Sequence, residues 1–172
     1  MRSAPSSTTG DSPSPEANGA GEADGNLFVY GTLLLPTVIE ALIGRIPHHL
    51  PATLPGYRRY RVSDEVFPAI AVEPAARVDG LVYRCLDDGE RMILDAFESG
   101  IYTRRCIHAQ TQLEQIVAAD AYVLADGHEP LLQKAPAWSL EDFAAHSGAR
   151  YVRMCAEFRT RWLAALGTYP LA

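Results

Sequence analysis

Apolar residues set in abruptly at Leu27, and the run Leu27, Phe28, Val29, Tyr30 ended by Gly31 predicts a buried strand entering a sharp loop. Pro36 suits a first helical turn, and Val38, Ile39, Leu42 and Ile43 recur at helical spacing until Gly44 and Pro47 close the segment. Residues 53–72 read as two strands, the second covering 67–72 with Pro68 at an edge or bulge, and alternation over 78–86 predicts a third. A helix over 87–97 follows. It has Leu86, Ile93, Leu94 and Phe97 on one face, acidic Asp87, Asp88 and Glu90 at its start, and Ser99-Gly100 as a C-cap. Residues 101–110 and 115–124 form the next expected pair of antiparallel strands, and 125–137 read as loop. Ser139 with Asp142 is a capping signal, Trp138 with Phe143 fits a hydrophobic staple, and Gly148 is expected to end that helix. In the last helix Tyr151, Cys155, Phe158, Trp162 and Leu166 make an apolar stripe expected to be buried.

Strands come in consecutive groups with short links, too short for repeated βαβ crossovers. The expected fold class is therefore α+β, a mainly antiparallel sheet or small β-barrel with helices around it, rather than a doubly wound parallel sheet. Residues 1–26 contain Met1, no other aliphatic side chain larger than alanine and no aromatic, and so read as a disordered N-terminal tail. A barrel domain would then span 27–124, with 125–172 supplying a loop and C-terminal helices packed on it. The tail has no apolar core of a secretory signal, so the expected location is cytoplasmic. No run approaches the roughly 18 apolar residues of a membrane span. A net charge of −6 and a pI near 5.3 argue against nucleic-acid or anionic-membrane partners. The three cysteines (Cys85, Cys106, Cys155) show neither disulfide nor zinc spacing, and their patterns suggest small buried residues in a reducing compartment.

Two places could carry chemistry. Tyr30-Gly31-Thr32-Leu33 directly follows a strand, and a glycine there either simply ends the strand or lets backbone N–H groups turn towards an anion or oxyanion. Glu98 ends a helix beside core-facing Phe97. It is either a solvated helix-end glutamate or a carboxyl whose pKa is raised by the helix dipole and burial, the direction that suits an acid–base group. Tyr102 and Arg104, two apart, share a strand face and either orient Glu98 or substrate, or line the barrel wall. The five histidines are scattered without ligand spacing, Ser63 lacks a nucleophile elbow, and Arg58-Arg59-Tyr60-Arg61 reads as an exposed strand face.

Four stretches in order resemble the gamma-glutamylcyclotransferase-like family, which includes gamma-glutamylamine cyclotransferases and avirulence-induced plant proteins. They are Phe28-Val29-Tyr30-Gly31-Thr32-Leu33, Phe67-Pro68-Ala69-Ile70, Val78-Asp79-Gly80-Leu81-Val82-Tyr83, and Leu94-Asp95-Ala96-Phe97-Glu98 followed by Tyr102-Thr103-Arg104. The pattern from Trp138 to Phe158 is similar to the helical extension of the plant-type branch. The link between Glu98 and Tyr102, only Ser99-Gly100-Ile101, departs from the family pattern at the pocket rim. The resemblance implies a small mixed β-barrel and release of 5-oxoproline from a gamma-glutamyl amine or amino acid, without metal or organic cofactor. It also implies that Glu98 is the catalytic proton acceptor and that Tyr30, Gly31, Thr32 and Leu33, with Tyr102 beside them, hold the glutamyl part of a small-molecule substrate. A non-catalytic binding or regulatory module that keeps the fold and pocket is the alternative.

Overall fold

The computed structural model describes residues 23–167. Strand β1 (Leu27–Val29) is short and wholly buried because it is wedged between two neighbours. It runs antiparallel to β3 (Pro68–Tyr83) and parallel to β5 (Ile116–Leu124). Its continuous apolar run follows from that position, since both of its faces meet protein. Phe28 and Tyr30 point into the barrel with Leu54, Ile70, Val82 and Ile107. Leu27, Val29 and Leu33 point outward beneath the helices, with Ile39, Leu42, Leu94 and Cys155.

Strand β2 (His49–Val62) pairs with β3 and with β4 (Tyr102–Thr111), and β4 pairs with β5, so the order β3-β1-β5-β4-β2 returns to β3. The result is a closed, mixed five-stranded barrel with helices around it, the expected α+β class. A two-residue strand β6 (Leu132–Gln133) adds to β2. Around the barrel stand α1 (Pro36–Ile43), α2 (Asp88–Phe97), α3 (Leu140–Phe143) and α4 (Ala149–Gly167). Asp87 caps α2 through a capping box: its side chain accepts from the Glu90 N–H while Glu90 reaches back to the Asp87 N–H. Ser139 caps α3 by accepting from the Asp142 N–H, and Trp138 packs on Phe143 with ring centroids 6.0 Å apart.

Several expectations are corrected. The strands expected over 67–72 and 78–86 are halves of one long β3. The β2–β3 ladder steps across residues 73–76 at Gly56 (φ +79), and Glu73 is held there by Arg58 and Tyr60. Residues 125–137 contain β6 and a short 3-10 turn, Glu129–Leu131. Gly148 does not end a helix. A π-helical turn, Ala144–Gly148, carries α3 straight into α4, with Gly148 buried inside the continuous helix. Leu166 is exposed, so the α4 stripe is buried only over its first part. Cys85 and Cys106 are exposed, and of the three cysteines Cys155 alone is buried. Within the basic run of β2, Arg59 is half-buried. Its guanidinium donates to the Asp79 carbonyl oxygen and lies over Trp138, leaving a buried Nε without a partner.

Of the expected tail, residues 1–22 lie outside the described residues. Gly25 accepts from the Leu86 N–H, and Asn26 hydrogen-bonds to the backbone of Ala118 and Asp120. Among the described residues no helix is long and apolar enough to cross a membrane.

Candidate active site

The chain leaves β1 at Tyr30 and tightens at once into a 3-10 turn, Thr32–Leu34. Gly31 is needed for space: a Cβ there would lie 3.0 Å from the Pro68 ring. Two phenols fasten this loop from within the barrel wall. Tyr83 Oη donates to the Leu33 carbonyl at 2.8 Å, and Tyr30 Oη donates to the Tyr122 carbonyl at 2.6 Å. The first bond of the turn runs from the Leu34 N–H to the Gly31 carbonyl. The N–H groups of Thr32 and Leu33 are thus the early donors that a helical turn leaves unpaired.

Glu98 arrives from the other side as the C-terminal cap of α2, its N–H bonded to the Leu94 carbonyl. A cavity open to solvent brings it together with Tyr30, Gly31, Thr32, Leu33 and Tyr102. Glu98, the Tyr30–Leu33 loop and Tyr102 therefore meet at one cavity. Glu98 keeps an opening to the cleft, yet the protein packed around its carboxyl pushes the pKa up to about 7 by burial. No described side chain donates a hydrogen bond to that carboxyl, so nothing offsets the desolvation.

The surrounding phenols move the same way. Burial, and secondarily the Glu98 charge, raise Tyr30, and burial with the nearby Tyr30 and Glu98 raises Tyr102. Burial raises Tyr122 and Tyr151 as well, with Glu98 again adding to the effect. These hydroxyls remain protonated donors at any physiological pH. Tyr102 Oη spends its hydrogen on the Pro68 carbonyl at 2.7 Å, which fixes its ring at the cavity wall. Arg104 turns away from the site and pairs with Asp95 and Asp120, so it orients neither Glu98 nor anything in the cavity.

Tyr122 and Tyr151 are site residues that the sequence pattern did not disclose. Tyr122 interrupts a strand of small aliphatic residues, and its hydroxyl donates to Asp95 at 2.8 Å. A lone phenol in such a strand signals a buried hydrogen bond. Tyr151 was legible only as part of the α4 stripe; its ring stands edge-on to Phe97 and Phe143, and the Thr32 hydroxyl lies against its phenol. The described residues contain no cluster of His, Cys, Asp or Glu able to hold a metal ion.

The family model described as gamma-glutamyl cyclotransferase, AIG2-like, matches residues 27–143, from the first strand to the end of α3. The chain belongs to this family. AIG2-like protein C of Arabidopsis thaliana is 31% identical over 140 residues, covering 81% of this chain and 80% of that relative. AIG2-like protein D of the same plant is 30% identical over 135 residues, covering 77% and 88%. Among solved structures, an Arabidopsis thaliana protein superposes with a TM-score of 0.59 at 25% identity, covering 84% of each chain. A gamma-glutamyl cyclotransferase superposes with a TM-score of 0.56 at 17% identity, covering 86% of this chain and 88% of that one, which shows a shared fold. In this AIG2-like chain α4 lies beyond the end of the family match, yet it supplies Tyr151 to the cleft.

Proposed function

We propose that this AIG2-like protein is a gamma-glutamyl cyclotransferase that releases 5-oxoproline from a gamma-glutamyl amine or gamma-glutamyl amino acid. The observation that carries the reading is a lone carboxyl raised to about 7, sharing one small cavity with the Tyr30–Leu33 loop. A base poised near neutrality is what the first step needs. Glu98 takes a proton from the substrate's α-ammonium, and the freed amine attacks its own γ-carbonyl carbon. The new C–N bond closes a five-membered ring, and the old amide C–N bond breaks as Glu98 returns the proton to the departing nitrogen. The second proton, still on the ring nitrogen, then passes through Glu98 to the freed amine, which departs as an ammonium and leaves a neutral lactam. Both partners of the attack belong to one molecule, so the enzyme chiefly holds the folded conformer. The N–H groups of Thr32 and Leu33 serve the developing oxyanion or the α-carboxylate. The scheme uses only side chains and backbone, with no metal or organic cofactor and no Ser or Cys nucleophile. Exposed, unpaired Cys85 and Cys106 favour a reducing compartment, and the cytoplasm is the proposed location.

Incubation of the purified protein with gamma-glutamyl amines and gamma-glutamyl amino acids, followed by detection of 5-oxoproline, tests the assignment. Glu98→Gln should lower turnover by about 10²–10⁴-fold while ligand binding persists. A wild-type protein that binds these compounds without forming 5-oxoproline would be the non-catalytic module instead.

A further inference from the structure

Glu98 and Tyr102 line a second space besides the inner cavity, an open groove between α4 and the turn that joins β2 to β3. The two spaces meet at the carboxyl assigned to proton transfer, so anything attached to the γ-carbonyl on its leaving side must pass into this groove. The helical wall presents Arg150, Met154, Phe158 and Arg161. At about 100° per residue these four positions stay within one face, and the eleven-residue spacing of the arginines brings them back to nearly the same angle, roughly 16 Å apart along the axis. Met154 is 41% exposed, an apolar side chain with its face open to the groove. Arg150 and Arg161 form no ion pair with any described residue. Across the groove stand Asp64 and Glu65, Asp64 with φ +62 in the turn.

Resting on the cyclotransferase reading, we infer that this groove is the leaving-group subsite and that Arg150 and Arg161 select a departing amine that carries a carboxylate. Its apolar part lies along Met154 and Phe158. A guanidinium binds a carboxylate through two parallel N–H donors, a geometry a simple alkylamine cannot use. The acidic wall repels the carboxylate and confines it to the helix side. The arginines rather than the acids set the preference because they project from a long helix docked by Cys155, whereas Asp64 and Glu65 belong to an exposed turn. The subsite is thus built by an element outside the family match, on a barrel that supplies the reacting groups.

The test is a matched pair of substrates, gamma-glutamyl-leucine and gamma-glutamyl-isoamylamide, which differ only by the carboxylate on the leaving group. Wild type should favour gamma-glutamyl-leucine in kcat/KM by tenfold or more. In the Arg150→Ala/Arg161→Ala double variant the ratio should collapse towards one, and the Lys/Lys double variant should recover part of it. Because the readout is a ratio, general damage to folding cancels. A wild-type ratio of one or less, a ratio unchanged in the Ala/Ala variant, or a preference for a gamma-glutamyl diamine overturns the subsite and leaves the cyclotransferase reading standing. If neither compound, nor any other gamma-glutamyl amine or amino acid, is turned over, that reading fails, and calorimetric titration with the same pair decides the subsite. Tighter binding of gamma-glutamyl-leucine that is lost in the Ala/Ala variant upholds it; equal binding, or none, overturns it.

Discussion

Replacing Glu98 by glutamine isolates the cost of burying a carboxyl, because the change keeps size and removes the titration. Burial moves the group from its ordinary value of 4.5 to about 7. Between those values the folded state holds a proton that the unfolded chain has released, so stability falls as pH rises through the window and stays low above it. At about 1.4 kcal/mol per unit the full shift is worth roughly 3 kcal/mol, and the opening of the residue to the cleft reduces this to about 2 kcal/mol. For a chain of this size that is a melting-temperature difference of roughly 4–8 °C. Thermal unfolding of wild type and Glu98→Gln from pH 5 to pH 8 should show the variant gaining on wild type by that amount. Every other titrating group cancels in the comparison. The same ionisation should appear in turnover as a kcat/KM that rises with pH and bends near 7, since the base must be free to take a proton. A stability gap that stays flat across the range would mean that Glu98 titrates as an ordinary glutamate, and the argument for a poised base would collapse.

Tyr83→Phe removes the donor to the buried Leu33 carbonyl and should cost about 1–3 kcal/mol in urea unfolding, together with a fall in kcat/KM as the loop loses its fastening. Trp162→Ala should cost only about 1–2 kcal/mol, because the indole is half-buried and stacks on Phe158 at 6.3 Å instead of filling a closed core; a loss near 4 kcal/mol would contradict that placement.

Much of the fold could be read from the chain because local pattern and tertiary position agree. The apolar run at β1, the capping signals at Asp87 and Ser139 and the alternation of β4 and β5 all behave as they would in isolation. Glu98 and the Tyr30–Leu33 loop were legible because a helix end and a strand end each leave a chemical mark. What the sequence concealed depends on contacts made across the chain. Gly148 looks like a helix stop but lies buried where a π-helical turn joins α3 to α4, so tertiary position overrides its local preference. Glu73 and Pro74 look like the end of a strand, but the ladder resumes beyond them. The half-burial of Arg59 follows from the bulge at Gly56, which changes which side chains of β2 face inward. Tyr122 and Tyr151 come from elements far apart in the chain, and no spacing rule could have joined them.

The place of β1 in the barrel also bears on how the molecule assembles. The β2–β3 and β4–β5 pairs are hairpins between consecutive strands, whereas β1 joins β5 with Leu27 opposite Asp120, a partner far along the chain. Loop-closure entropy delays such long-range pairing relative to hairpins. Closure of the barrel and formation of the Tyr30–Leu33 loop are therefore one event, because the loop begins where β1 ends. A chain that has made its hairpins but has not yet seated β1 carries Glu98 with no cavity around it. The raised carboxyl therefore depends on β1 being seated between β3 and β5, so the reactive state belongs to the closed barrel.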